Sequence, residues 1–285
     1  MSSEAVDLHF QFELSDRDFN YLKDLIYRVA GLKLNETKKT LMQSRIYRRL
    51  IQLELDGYRQ YIQYLEQNPT EMEFYINALT TNKTDFYREK QHFDYLRHEY
   101  IPKLNTLLSK QHNSKTLMIW SAACSTGEEV YTLAMEFNDI ISAYPKIDFR
   151  ILGTDINTKV LDLAKTGVYA RELIEHTVPL NIAAKSLLRG TGRCSGHYKI
   201  REELKSKIKF RQYNLMGEER FPTQFDIIFV RNVLIYFDRE GITKVIGNLL
   251  SHLRQDGLLF IGHSENLHGV DDQLKMIRSA VFRKF

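Results

Sequence analysis

The spacing of apolar residues divides the chain into a helical first part and an alternating second part. In the first part, Phe19, Leu22 and Ile26 recur at the interval of an amphipathic helix. Ser15 precedes this run as a candidate N-terminal cap, and Gly31 follows it as a candidate C-terminal cap. Further helices are predicted at 36–55, 58–66 and 70–79. Residues 1–80 therefore indicate an all-α domain.

From Leu117 onward, apolar runs of strand length alternate with helical stretches. The predicted strands are 116–120, 149–153, 207–212, 225–230 and 257–262, and the predicted helices are 130–143, 160–166 and 241–254. This alternation is typical of an α/β fold with a doubly wound parallel sheet, whose ligands bind at the carboxyl ends of the strands. Glycine-bracketed short pieces at 190–210 interrupt it and predict a small antiparallel β-subdomain.

The loop after the first predicted strand carries the most specific signal. It contains small residues, the single glycine Gly127, and then Glu128 and Glu129 at a helix start. A loop that grips phosphate needs several glycines and no adjacent acid. The loop therefore indicates a nucleoside without phosphates that carries hydroxyl groups and positive charge, and S-adenosylmethionine fits that description.

Polar residues follow several other predicted strands. Asp155 ends one strand, where it can accept hydrogen bonds from a ribose or cap the next helix. Asn214 can read an adenine edge, although a turn residue is the more common explanation. The strand at 225–230 delivers Arg231, Asn232 and Tyr236 to the same edge, and Tyr236 can equally be a core aromatic residue.

The segment before the α/β part is dense in polar groups. As a lid it would present Asn82, Thr84 and Arg88 to a ligand, and as a linker it would be expected to hold more glycine or proline. The composition of this segment does not favour the lid over the linker. We assign 81–115 to this linker or lid and a lead-in helix, and 116–285 to the α/β domain.

A basic stripe occupies the second predicted helix. Lys38, Arg45 and Arg49 fall within a narrow arc, with Arg48 beside it. Because acidic residues are nearly absent between residues 38 and 53, we expect these charges to be unpaired. An unpaired basic stripe favours docking on an acidic surface, either nucleic acid or an acidic protein helix.

Length and composition limit the remaining possibilities. The 285 residues suffice for two domains, and the net charge of +4 permits an acidic partner without requiring nucleic acid. No apolar run reaches membrane-spanning length, residues 1–10 lack a signal-peptide pattern, and the two cysteines suit a reducing compartment. These features predict a cytoplasmic protein without membrane insertion.

Five motifs together resemble the chemotaxis receptor methyltransferase family of the CheR type. They lie at 78–89, 120–129, 153–156, 229–238 and 256–266, in the order and at the spacing of that family. The resemblance runs from about Leu14 to Arg283. It implies an all-α N-terminal domain, a class I (Rossmann-like) methyltransferase domain with the small β-subdomain insertion, and S-adenosylmethionine as cofactor, without a metal.

The resemblance also implies a substrate and a role for each candidate residue. The substrate would be a glutamate carboxylate on the cytoplasmic helical domain of a chemoreceptor, and S-adenosylhomocysteine the second product. In some members the β-subdomain binds a receptor's C-terminal peptide. The implied cofactor contacts are Asn82, Thr84, Arg88, Glu129, Asp155, Asn214, Leu215, Arg231 and Asn232; the implied catalytic residues are Tyr236 and Arg88; the implied receptor contacts are Lys38, Arg45, Arg48 and Arg49.

One residue departs from the family pattern. Cys124 stands where the family commonly has alanine, and it would add a thiol with its own reactivity beside the cofactor loop.

Three other functions are less consistent with the sequence. Methylation of a nucleic-acid base or amine often uses an Asn/Asp-Pro-Pro-aromatic tetrad, whereas residues 231–234 contain no proline. A non-catalytic cofactor sensor is disfavoured by the intact run of motifs. A nicotinamide enzyme would require the motif G-x-G-x-x-G, which the sequence lacks.

Overall fold

The computed structural model describes residues 12–111 and 113–285. The chain forms two compact units, the first ending at Thr81 and the second spanning Asn82–Phe285. The prediction made for residues 1–10 lies outside the described residues. Among the described residues, the helices are all too short or too polar to cross a bilayer.

The first unit is helical, as predicted. Its helices are α1 Asp16–Ala30, α2 Lys39–Gln52, α3 Tyr58–Gln67 and α4 Glu71–Leu79, with a 3₁₀ turn at Glu36–Lys38. Both predicted caps of α1 are present, because the Ser15 hydroxyl accepts a bond from Asp18 N at 3.1 Å and Gly31 has a φ of 69°. The predicted second helix is shorter than expected, ending at Gln52.

Two of the three arginines of α2 have partners within the helical unit, and Arg49 forms an ion pair, which corrects the prediction that its charge is unpaired. Arg49 donates to both carboxylate oxygens of Glu71, at 2.8 and 2.6 Å. Arg45 donates to the carbonyl oxygens of Leu79 and Thr80 at the carboxyl end of α4, both at 3.0 Å. The partner of Arg49 lies 22 residues away on α4, outside the stretch between residues 38 and 53 that is poor in acids.

The second unit is built on a seven-stranded sheet with the order β6-β2-β1-β7-β8-β10-β9. Its strands are β1 Lys115–Ala122, β2 Ile147–Asp155, β6 Ile208–Gln212, β7 Phe225–Val230, β8 Leu253–Ile261, β9 Leu274–Arg278 and β10 Val281–Lys284. All neighbouring pairs from β6 to β8 are parallel, and β10 runs antiparallel to both β8 and β9. The predicted α/β fold with a doubly wound, mostly parallel sheet is confirmed, and β9 and β10 are additions that the sequence pattern did not reveal.

Both faces of this sheet are covered. In β1, Leu117 and Ile119 belong to one hydrophobic cluster, whereas Trp120 and Ala122 belong to the other. All six residues of β7 are buried. Burial on both faces explains why these strands appear in the sequence as continuous apolar runs.

Helices of the second unit precede, connect and follow the strands. They are α5 Gln91–Tyr95, α6 Ile101–Gln111, α7 Glu128–Ile141, α8 Thr158–Thr166, α9 Arg171–Glu175, α10 Leu180–Ser186, α11 Glu202–Lys205 and α12 Arg239–His252, with a π-helical turn at Leu96–Tyr100 between α5 and α6. The helix α7 connects β1 to β2, and α12 connects β7 to β8, as expected for parallel neighbours.

A second, three-stranded antiparallel sheet has the order β3-β5-β4. Its strands are β3 Val168–Ala170, β4 Leu187–Arg189 and β5 His197–Ile200. Of these three strands, the predicted range 190–210 contains only β5. The other two strands have three residues each, too few to show a periodicity in the sequence.

We expect Arg49→Ala to lower the free energy of unfolding by about 2 kcal/mol or more, because it leaves the Glu71 carboxylate buried without its cation. The side chain of Glu71 is 2% exposed. The change is measured by urea denaturation followed by circular dichroism.

Arg48→Ala provides the matched control. Arg48 is exposed on the same helix, and its loss should change the unfolding free energy by less than about 0.5 kcal/mol. Equal losses in the two variants would contradict a structural role for the Arg49–Glu71 pair.

Candidate active site

The carboxyl ends of five parallel strands meet at one edge of the large sheet. The chain moves outward from β1 through β2 to β6 on one side, and then through β7 to β8 on the other. The order therefore reverses between β1 and β7. Doubly wound sheets bind their ligands at such a switch point. Ser121 lies near the end of β1, and Arg231 follows the end of β7.

Arg231 is the centre of a buried charge cluster at this point. Its side chain is 2% exposed and donates through all three nitrogens. Nη1 reaches Glu129 Oε2 at 3.1 Å, Nε and Nη2 reach Glu89 Oε2 at 3.2 and 3.0 Å, and Nη2 also donates to the carbonyl oxygen of Arg88. One guanidinium thus joins residues 82–90, the lead-in segment before α5, to α7 and to the end of β7.

The two carboxylates of this cluster have opposite pKa shifts. Burial raises the pKa of Glu129 and outweighs the attraction of Arg231. Burial also acts to raise the pKa of Glu89, but Arg231, Asn232 and the backbone N–H of His263 together hold it below its ordinary value. Two carboxylates against one guanidinium leave a formal charge of minus one at the switch point, which suits a cationic ligand.

Asp155 ends β2 and holds the loop that follows β1. Its Oδ2 accepts from Ser125 N at 2.8 Å, and its Oδ1 accepts from Asn157 N at 2.9 Å. The N-terminal cap of α8 is Asn157, whose side chain accepts from Lys159 N and Val160 N. Asp155 is therefore not the helix cap, and this alternative is wrong. Burial raises the pKa of Asp155, and its backbone hydrogen bonds partly offset that rise.

The loop between β1 and α7 has an unusual backbone. Ala123 and Ser125 have φ values of 60° and 50°, and Gly127 has a φ of 95°. A Cβ on Gly127 would lie 2.9 Å from both Ala164 Cβ and Tyr169 Oη, so the position requires glycine. The hydroxyl of Ser125 donates to the carbonyl oxygen of Asn82 at 2.9 Å, which ties the start of the second unit to this loop.

Glu265 organises the segment that follows Arg231. Its carboxylate accepts from the backbone N–H groups of Asn232, Leu234 and Gly262, at 3.0, 2.7 and 2.6 Å. Tyr236 lies at the end of the 3₁₀ turn that follows Asn232 and is partly exposed. The geometry of this turn thus depends on a carboxylate about 30 residues away.

Ligand atoms of Glu89, His92 and His263 lie within 4.8 Å of one another, as they do in metal sites. Burial, followed by the charge of Arg231, lowers the pKa of His92 to about 3, and its ring nitrogens have no hydrogen-bond partner among the described residues. However, both oxygens of Glu89 already accept bonds, from Arg231 on one side and from Asn232 and His263 N on the other. A carboxylate neutralised by a guanidinium is a poor ligand for a cation.

Other predicted residues lie at the same edge in less constrained positions. Asn214 follows β6, and its side-chain oxygen accepts from Met216 N at 2.9 Å, as in a turn. Leu215 is buried beside it, and its carbonyl accepts from Asn248. Thr84 and the side chain of Arg88 are partly exposed in the lead-in segment, where Arg88 Nη1 donates to Lys83 O at 3.2 Å.

Three residues that hold the predicted site residues in place were not predicted from the sequence: Glu89, Glu265 and Ser121. Ser121 donates to Glu129 Oε1 at 2.7 Å. Glu89 and Glu265 fall inside two of the motifs that carry the family resemblance, but nothing local distinguished them from solvated acids. Their role comes from contacts with residues 142 and 33 positions away.

Cys124 is not the reactive thiol that the sequence suggested. It is 2% exposed, and burial, followed by the charge of Asp155, raises its pKa well above the ordinary value. The thiolate is therefore disfavoured, and Cys124 behaves as a small apolar residue under the loop. Cys194 is the exposed cysteine.

Comparison with known proteins assigns this arrangement to a family. A family model described as "CheR methyltransferase, SAM binding domain" matches residues 82–283, and one described as "CheR methyltransferase, all-alpha domain" matches residues 17–80. The chain belongs to the CheR methyltransferase family. The resemblance stated from the motifs is thereby confirmed.

Relatives in the CheR family match nearly the whole chain. The chain is 37% identical to "Chemotaxis protein methyltransferase 2" of Pseudomonas aeruginosa, with 95% of this chain and 94% of that protein covered. It is 35% identical to "Chemotaxis protein methyltransferase" of Escherichia coli over 94% of this chain and 91% of that protein. The protein of the same name in Borreliella burgdorferi is 33% identical, with both chains covered completely.

As a CheR methyltransferase, the chain uses S-adenosylmethionine as methyl donor. The residues at the switch point fit this cofactor. The carboxylates of Asp155 and Glu129 lie there, and the negative charge around Arg231 suits a sulfonium cation. The acidic start of α7, with the buried Glu128 and the partly buried Glu129 in its first turn, would repel a phosphate.

Proposed function

We propose that the chain methylates glutamate side chains of chemoreceptors, converting them to glutamyl methyl esters. The observation that carries the proposal is the likeness, along both units, to proteins named chemotaxis protein methyltransferase. A methyl ester is a reversible change of one charge, which is suited to the adaptation of a signalling receptor. The setting implied by such a substrate is the cytoplasm.

The chemistry of the acceptor explains the composition of the site. A glutamate side chain has an ordinary pKa of about 4.3, so it is ionised at neutral pH and needs no general base. S-adenosylmethionine supplies a methyl group already activated by its positive sulfur. The acceptor oxygen forms the new O–C bond as the S–C bond breaks, and no proton moves.

What remains for the protein is positioning and the exclusion of water. We assign cofactor contacts to the residues that the family resemblance implies: Asn82, Thr84, Arg88, Glu129, Asp155, Asn214, Leu215, Arg231 and Asn232. The buried guanidinium of Arg231 also supports that surface. Arg88 and Tyr236 orient the acceptor carboxylate. The bonds that Glu89 already accepts favour a reaction without a metal.

The proposal is tested by incubating the full chain with S-adenosylmethionine labelled in its methyl group and with membranes that contain chemoreceptors. We expect label on the receptors that mild alkali releases as methanol. Label that survives alkali would indicate N-methylation, as in an enzyme of nucleic acid or amines, and no transfer would indicate a cofactor-binding sensor. Membranes without chemoreceptors are the control, and peptide mapping then identifies the modified glutamates.

We expect Tyr236→Phe to lower turnover about tenfold, because one hydrogen bond to the acceptor carboxylate is lost. The affinity for S-adenosylmethionine, measured by titration calorimetry, should change by less than about twofold if the hydroxyl contacts the acceptor rather than the cofactor. Tyr144→Phe is the matched control, because Tyr144 precedes β2 at the amino ends of the strands. An unchanged turnover would remove Tyr236 from the mechanism.

The receptor surface is proposed to lie on α2 of the helical unit. Arg48 is exposed on α2 and Lys38 is exposed just before it, whereas Arg45 and Arg49 hold α4 and Glu71 through part of their guanidinium groups. The proposal therefore assigns most of the direct contact to Lys38 and Arg48. The edges of the three-stranded sheet, β3 and β4, are the proposed site for a receptor tail peptide.

We expect Arg48→Glu to raise the KM for receptor membranes several-fold, with the effect shrinking as salt is added, because an attraction becomes a repulsion. Cofactor affinity should not change. Arg59→Glu makes the same charge change at an exposed position of α3 and is the control. Equal effects of the two substitutions would show that overall charge, and not α2, determines docking.

A further inference from the structure

Glu89 occupies a position that the proposed mechanism does not use directly. It follows Arg88, and its carboxylate accepts bonds from two separate parts of the second unit, residues 231–232 and His263. Oε2 accepts from Arg231 Nε and Nη2, whereas Oε1 accepts from Asn232 Nδ2 and His263 N, both at 3.2 Å. The side chain thus joins the lead-in segment to the carboxyl ends of both β7 and β8.

The backbone around Arg88 is held in an unfavourable conformation on both sides. Tyr87 and Glu89 each have a φ of 56°, in the left-handed region that non-glycine residues avoid. Tyr87 is anchored to α7, since its N–H donates to Thr132 Oγ1 at 3.2 Å and its hydroxyl to Glu136 Oε1 at 3.0 Å. Glu89 is anchored by the bonds described above. Such a conformation persists only where its surroundings enforce it.

Arg88 is fixed between these two anchors, and its carbonyl oxygen also accepts a bond from Arg231 Nη2. Arg231 therefore binds the main chain of Arg88 and the side chain of Glu89 with the same nitrogen. If the Glu89 carboxylate is lost, Arg231 loses one of the two anions that orient it, and the left-handed turn loses one of its two anchors.

We propose that Glu89 is a positioning residue that holds Arg88 in place for cofactor binding at the carboxyl edge of the sheet. The inference rests on the proposed cofactor contact of Arg88. It assigns Glu89 no contact with the reacting atoms, because its four accepted bonds direct both of its oxygens into the protein.

The test is a double-mutant cycle read by titration calorimetry of the full chain with S-adenosylmethionine. Glu89→Gln keeps the size of the side chain, but its amide NH₂ group would face the N–H groups of Asn232 or Arg231 and would accept no hydrogen bond from them. We expect it to weaken binding about tenfold when Arg88 is present and less than about twofold in the Arg88→Ala background, because coupled residues are not additive.

Two controls accompany the cycle. Asp148→Asn also replaces a carboxylate that accepts from an arginine and a lysine, but Asp148 lies at the amino end of β2. It should leave the affinity unchanged. Thermal melting establishes that each variant is folded, and if Glu89→Gln does not fold, Glu89→Asp replaces it in the same cycle.

The outcomes are decisive in both directions. A loss of more than about threefold that disappears without Arg88 supports the positioning role. A smaller loss, or one that is as large without Arg88 as with it, overturns the role. Because cofactor binding requires no acceptor, this result is independent of whether receptors are the substrate.

Discussion

The buried guanidinium of Arg231 is the interaction around which the candidate active site is organised. Its contacts to Glu89, Glu129 and the carbonyl of Arg88 bring the lead-in segment, the start of α7 and the end of β7 to one point. A buried arginine is stable only when its donors are paired, and buried carboxylates only when a cation or several N–H groups face them. Each of these residues therefore depends on the others for its position.

The second organising constraint is the left-handed backbone on either side of the switch point. Ser125 and Asn232 both have positive φ values, and each is held by a carboxylate from another strand or loop. Asp155 accepts from Ser125 N, and Glu265 accepts from Asn232 N. The site is thus assembled from carboxylates that bind backbone N–H groups. Such a scaffold leaves little freedom at the residues proposed to face the ligand, which is what a reaction that depends on positioning requires.

The wrong expectations about charge and thiol reactivity concern partners that are distant along the chain. The charge of Arg49 looked unpaired because Glu71 belongs to another helix. Cys124 looked reactive because its burial under Thr154 and Asp155 cannot be read from neighbouring residues. The cofactor contact of Arg231, implied by the family resemblance, stays a prediction, and the structure adds that its guanidinium is paired with Glu89 and Glu129. Position at a strand end predicts location, but it does not predict whether a side chain faces ligand or protein.

By itself, the sequence determined the order of helices and strands, the caps of α1, the absence of a phosphate loop and the motifs that identify the family. These are local properties, set by periodicity and by residue type at fixed spacing. Only the tertiary structure decided which acids are paired, because Glu89 and Arg231 are 142 residues apart. It also decided the short strands β3 and β4 and the C-terminal hairpin of β9 and β10, since their stability comes from neighbouring strands and not from any repeating pattern of their own.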